Sequence, residues 1–309
     1  VSIKVCSFLP AVTQMIYDMG LQENLLGVTF ECPSIALREK KPVVRCILEE
    51  KEYSSVEIDT FFTESKREGK ELYYVDEKLL EEIAPDIIFT QDVCDVCQID
   101  MECTMAAVAH LPKEPELISI SPAGFSDVFE NALTIAKTLG QEERAYQYLA
   151  ALQKRIDKVV NELRERKVEP RRVSLLEWLD PIYNCGHWIP HQIELAGGVD
   201  MLSHPSGNSI AISWDKIRMY DPEIIIVAPC GFDTQRTLKE ISHLLTKEGW
   251  TSLKAVKNKR VFIADFELFT QSSAGTLVDG IELLAGLFHP DYLTVPSRLQ
   301  TRFQPFFEV

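Results

Sequence analysis

Residues 85–94 read Pro-Asp-Ile-Ile-Phe-Thr-Gln-Asp-Val-Cys, and residues 222–230 read Pro-Glu-Ile-Ile-Ile-Val-Ala-Pro-Cys. Each opens on proline and an acid, continues in a β-branched run and ends on a cysteine. A helix usually stops at or before the residue preceding proline, and Ile, Val and Phe suit a buried pleated strand. Both stretches therefore read as a short helix, a buried strand and a loop carrying a thiol. On one reading this is no more than a common helix-to-strand junction. On the other, two related lobes present equivalent loops, and in open α/β sheets ligands sit beyond the carboxyl ends of the strands.

Working outward, strand-like runs at 3–8, 26–30, 42–44, 72–75, 86–90 and 117–120 fill the first half, with a short helix at 79–84. The second half repeats the scheme, with strands at 173–178, 223–228 and 261–265 and helices at 191–196, 238–245 and 276–288. This alternation is that of α/β folds with parallel sheets. Between the halves, 125–139 places Phe125, Val128, Phe129, Ala132, Ile135, Ala136 and Leu139 on one face before Gly140, and a second helical stretch covers 145–163. We expect an α/β protein of two lobes, 1–122 and 141–309, each with a central mostly parallel sheet flanked by helices, joined by one rigid bridging helix within 123–140.

The chain has 309 residues, 32 Lys+Arg against 47 Asp+Glu, and a formal charge of −15. That balance argues against nucleic acid or an anionic membrane as partner, since both demand a basic footprint. With 46% hydrophobic and 26% charged residues it is an ordinary globular composition. Eight cysteines are too sparse for a disulfide scaffold and numerous for a secreted protein. With no signal segment at the start of the given chain, they lean the reading towards the cytoplasm, or towards an extracytoplasmic site if a segment was removed.

The chemistry-bearing residues concentrate in loops. Residues 178–190, Trp-Leu-Asp-Pro-Ile-Tyr-Asn-Cys-Gly-His-Trp-Ile-Pro, make a rigid aromatic surface that either plugs the lobe or faces a flat apolar ligand. Phe232, Phe266 and Phe269 in other strand-end loops tip the balance towards a pocket. Cys94 and Cys97 form a CxxC, but no second closely spaced pair completes a zinc site, so reduced or opportunistically paired thiols are expected there. His187 and His191 lack the glutamate of the zincin motif, and Pro190 marks a helix start instead; His187 remains a candidate ligand to a metal carried inside a cofactor. No GxGxxG, phosphate loop or nucleophile elbow is present, and nothing in the sequence demands catalysis.

Taken together, the motifs resemble one family over almost the whole chain: the cobalamin-binding type of substrate-binding proteins of ABC importers, class III or helical-backbone metal receptors. The resemblance rests on residues 5–14 as the opening strand and turn, 21–29, Glu31-Cys32-Pro33, 55–59, 72–76 and residues 90–97. LEWLDP, GHWIP, ELAGG, Ser213-Trp214, PCGFD, LVDGIELLA and His289-Pro290 follow in the same order. The chain departs from the pattern at Gln14, Cys32-Pro33 and 269–275. The resemblance implies a non-catalytic, monomeric binding protein holding cobalamin or another corrinoid between two lobes and docking on an ABC permease, with no intrinsic cofactor. The planar ring is expected against Trp178, Tyr183, Trp188, Phe232 and Phe269, with polar edges read by Arg45, Gln91, Asp92 and His187. A metal, iron-siderophore or haem receptor using Cys94, Cys97 and His187 is the first alternative. A cytoplasmic cofactor-delivery protein or enzyme on the same scaffold is the second.

Overall fold

A computed structural model describes residues 3–49, 51–68, 70–91 and 101–307. The chain divides into two compact units, Val1–Pro122 with Val128–Leu149, and Ala123–Asp127 with Ala150–Val309. The helices Phe125–Thr138 and Glu142–Glu165 each contribute residues to both.

The first unit is built on strands β1 (Val5–Ser7), β2 (Leu25–Thr29), β3 (Lys41–Cys46), β4 (Tyr73–Val75), β5 (Ile87–Thr90) and β6 (Glu116–Ser119), in the order β4-β3-β2-β1-β5-β6. Every pair is parallel except β3–β4. Helices between successive strands supply the crossovers that parallel pairing requires, and Cys6, Phe8, Val43, Val44, Leu80 and Ile88 are among the residues of its core.

The second unit carries β7 (Arg171–Leu179), β8 (Ile182–Asn184), β9 (Gly186–His187), β10 (Gly198–Val199), β11 (His204–Pro205), β12 (Ile210–Ala211), β13 (Ile224–Val227), β14 (Val261–Ala264) and β15 (Phe303–Pro305). The main sheet runs β12-β8-β7-β13-β14-β15, with β10 also beside β7, while β9 and β11 pair separately. Parallel β7, β13 and β14 form its centre, and β8 and β15 pair antiparallel at either side. All four residues of β13 are buried, as a strand covered on both faces must be. The antiparallel additions β8, β12 and β15 are too short for a periodicity to register, so the sheet is more mixed than expected. The helix expected at 238–245 is two, Thr234–Glu240 and Ser242–Leu245; the first begins early because the Asp233 carboxylate accepts from Arg236 N at 2.7 Å and caps it.

The repeated Pro-acid-Ile-Ile has one physical cause in both units. Asp86 accepts from Lys4 N at 2.9 Å through its carboxylate while its own N–H donates to Lys4 O at 2.8 Å. Glu223 does the same to Arg172, at 2.9 and 2.8 Å. The acid thus splices the start of β5 to β1 and of β13 to β7. In each case the residue before the proline, Ala84 or Asp221, takes a positive φ, ending the preceding helix.

Candidate functional site

In the second unit, the carboxyl ends of the three central strands bring aromatic residues together through two ring pairs joined by backbone hydrogen bonds. Beyond β13 the chain stays zipped to β7, with Ala228 N donating to Leu176 O and Cys230 N to Glu177 O, each at 3.0 Å. This sets the Phe232 ring against the half-buried Trp178, centroids 5.3 Å apart and planes tilted by 50°. The Arg236 guanidinium lies 4.6 Å from the centroid of Phe232 and pairs with Glu240 at 3.3 Å. Beyond β14, Phe266 N donates to Phe232 O at 3.4 Å, and the chain turns to the fully buried Phe269. The Phe269 carbonyl accepts the Trp188 indole N–H at 2.6 Å. The Trp188 ring in turn meets His187, centroids 5.3 Å apart.

His187 is held by its backbone from both sides. Its N–H donates to Gly207 O at 2.6 Å, and its carbonyl accepts from Ser206 N at 2.9 Å. Its φ is +52°, a conformation non-glycine residues take only where their surroundings impose it. Nothing larger than glycine fits beside it, because a Cβ on Gly186 would lie 2.5 Å from Gly207 O and 2.6 Å from Ser209 N. Gly186→Ala is therefore expected to lose about 1–3 kcal/mol of stability and to loosen His187. Thermal unfolding measures the first effect, and a rise of the His187 NMR titration midpoint towards 6.5 marks the second.

The His187 imidazole has no hydrogen-bond partner among the described residues, and burial, with His204 nearby, pushes its pKa down. It is a neutral ring with an unshared lone pair at neutral pH. His204 lies at 3.0 Å from Asn208 O through Nδ1; a carbonyl only accepts, so Nδ1 donates and Nε2 is left bare in the neutral ring.

Buried acids underlie this arrangement. Burial pushes Glu177 up to about 7, although the Ser209 hydroxyl donates to it. Asp200 is raised to about 6 by burial, despite accepting from Leu175 N, Leu202 N and Asn184 Nδ2. The Cys185 thiol, beside Asp200, is pushed well above its ordinary range.

Of the residues expected from the sequence, Trp178, Phe232, Phe269, Trp188 and His187 fall in this one chain of contacts. Trp188 and Phe269 are buried and brace the turn. Tyr183, half-buried on β8, pairs across from Trp178. Arg45 lies on β3 of the first unit, where it pairs with Glu49 in the turn that follows the strand, and Gln91 follows β5 there. Asp92, Cys94 and Cys97 fall outside the described residues. Among the described residues no group of three or more His, Cys, Asp or Glu side chains is placed to hold a metal ion, and no helix is long and apolar enough to cross a membrane. Sequence reasoning missed Arg236, which stands in the first turn of the helix Thr234–Glu240, a helix that the sequence reading began only at 238. It also missed His204, which only the β9–β11 pairing brings near.

Comparison with known proteins agrees with this architecture. Residues 76–268 match the family of periplasmic binding proteins. An ABC transporter substrate-binding lipoprotein of Bacillus subtilis is 22% identical over 300 residues, spanning 93% of this chain and 80% of that one. A periplasmic haem-binding protein from Pseudomonas aeruginosa superposes with a TM-score of 0.72 at 14% identity, covering 97% of each chain. The ABC-type Fe3+-hydroxamate transport system from Saccharomonospora viridis gives 0.66 at 15% identity, covering 92% of each. These relatives are extracytoplasmic, which overturns the cytoplasmic leaning drawn from the cysteines. Cys6, Cys32, Cys46 and Cys185 are free and buried. Burial pushes Cys6 and Cys32 up to about 12, so it is packing that keeps these thiols unreactive, and they carry no information on compartment. With the family matched over most of its length and the two-unit α/β fold in place, this chain belongs to the periplasmic binding proteins, the substrate-binding components of ABC importers.

Proposed function

We propose that the ligand is a planar, metal-centred tetrapyrrole, received on the aromatic strand ends of the second unit and passed, without chemistry on it, to an ABC permease. The helical stretch 123–140 is the proposed connection between the two units. The observation that carries the reading is His187: a neutral imidazole without a partner among the described residues, fixed in a strained backbone conformation beside an aromatic run. Such a nitrogen suits an axial position on a borderline metal ion. Trp178 and Phe232 supply flat apolar area for a macrocycle.

Iron porphyrin and corrinoid are the two forms to compare. The spaced sequence motifs favour the corrinoid, and the haem-binding relative in Pseudomonas aeruginosa favours the porphyrin. Titration with haemin and with cyanocobalamin, followed by absorbance, tests the proposal. His187→Ala is expected to weaken the bound form by about tenfold, the equivalent of about 1.4 kcal/mol, and to shift the visible bands as the axial nitrogen is lost. Failure of both ligands to bind the wild type at tens of micromolar retires the tetrapyrrole and leaves the iron-siderophore reading.

A further inference from the structure

Two of the four tryptophans in this chain have indole N–H groups satisfied by backbone carbonyls: Trp188 donates to Phe269 O at 2.6 Å and Trp214 to Glu248 O at 2.7 Å. The other two, Trp178 and Trp250, bury the N–H with no acceptor among the described residues. Trp250 is 2% exposed and belongs to the core beneath the sheet, where no ligand reaches. Trp178 is different. It keeps part of its surface in solvent at the carboxyl end of β7, in tilted contact with Phe232. Buried donors are almost always paired, so a donor left unpaired at a strand end asks what completes it.

We infer that Trp178 Nε1 is a specificity-determining donor to the ligand, completed by an oxygen acceptor on the ligand's edge, a carboxylate or an amide carbonyl. The inference rests on the tetrapyrrole reading above and adds to it what the ligand must carry at that edge. The Nε1 atom is closed to solvent in the ligand-free chain, so the ring turns about its second side-chain torsion, which has a broad minimum, to present the N–H to the ligand. Arg236, whose guanidinium sits by the same Phe232 ring, is already neutralised by Glu240. The position therefore calls for a hydrogen-bond acceptor more than for a counter-charge, and both oxygen types serve.

Trp178→Phe keeps an aromatic face and removes the donor. The expected result is little change in the melting temperature of the ligand-free protein, and about a tenfold loss of affinity for whichever of haemin and cyanocobalamin the wild type binds. For haemin, a preference for the free acid over its dimethyl ester that vanishes in the variant assigns the acceptor to a carboxylate. Weakening with cyanocobalamin assigns it to an amide. Trp214→Phe is the structural contrast, lowering the melting temperature and leaving affinity unchanged. A Trp178→Phe protein that melts lower and binds as the wild type does overturns the inference and leaves the tetrapyrrole reading standing. A wild type that binds neither probe overturns both.

Discussion

Trp188→Ala is expected to lower the free energy of unfolding by about 3–5 kcal/mol, the range for removing a buried aromatic side chain. The sequence places Trp188 among the rings facing a ligand, where truncation would cost affinity and little stability. The structure gives it 9% exposure and a hydrogen bond to Phe269 O. Truncation would open a cavity and leave that buried carbonyl without its donor, which adds to the cost. Urea unfolding of the ligand-free protein decides the matter. A loss below about 1 kcal/mol would return Trp188 to the ligand-facing surface.

Glu177→Gln has the opposite sign and depends on pH. In the folded chain Glu177 titrates near 7, against an ordinary 4.5, because burial disfavours the carboxylate. Between those values the folded protein holds a proton that the unfolded chain releases, so stability falls as pH rises from about 4.5 through 7. The interval is worth about 3 kcal/mol. Glutamine keeps an acceptor for the Ser209 hydroxyl and carries no charge. The variant should therefore match the wild type below pH 4.5 and exceed it by about 3 kcal/mol above pH 7. Asp200 titrates in both proteins, and the Cys185 thiol, raised by burial and by the neighbouring acids, stays protonated across this range in both. The same margin at pH 4 and pH 8 would show that Glu177 stays ionised.

The strands most easily read from the sequence are those whose burial is continuous. The runs at 87–90 and 224–227 are buried on both faces because helices cover both sides of a parallel strand, and the acid ahead of each is explained by its bond to a backbone N–H where the neighbouring strand starts. The second unit's antiparallel strands were not legible, since two or three residues such as Ile210–Ala211 cannot display a period. In the site, aromatic density in 178–190 located the region but not the orientation of its rings. Trp178 and Trp188 look alike in sequence, yet only the approach of the turn after β14 gives Trp188 an acceptor. The clamp on His187 was equally hidden, because it depends on glycine 186 letting the Gly207–Ser209 backbone come close.

The distribution of thiols has a practical consequence. Among the described cysteines only Cys103 and Cys230 keep solvent exposure. Cys230 lies in the loop between β13 and Phe232, its N–H tied to Glu177 O. With Cys94, Cys97 and Cys103 replaced by serine, a polarity-sensitive dye coupled to that sulfur would sit next to the aromatic strand ends, while the buried thiols stay unlabelled. Arrival of a cargo molecule could then be read as a change in emission colour, which makes the chain a ready scaffold for an optical sensor.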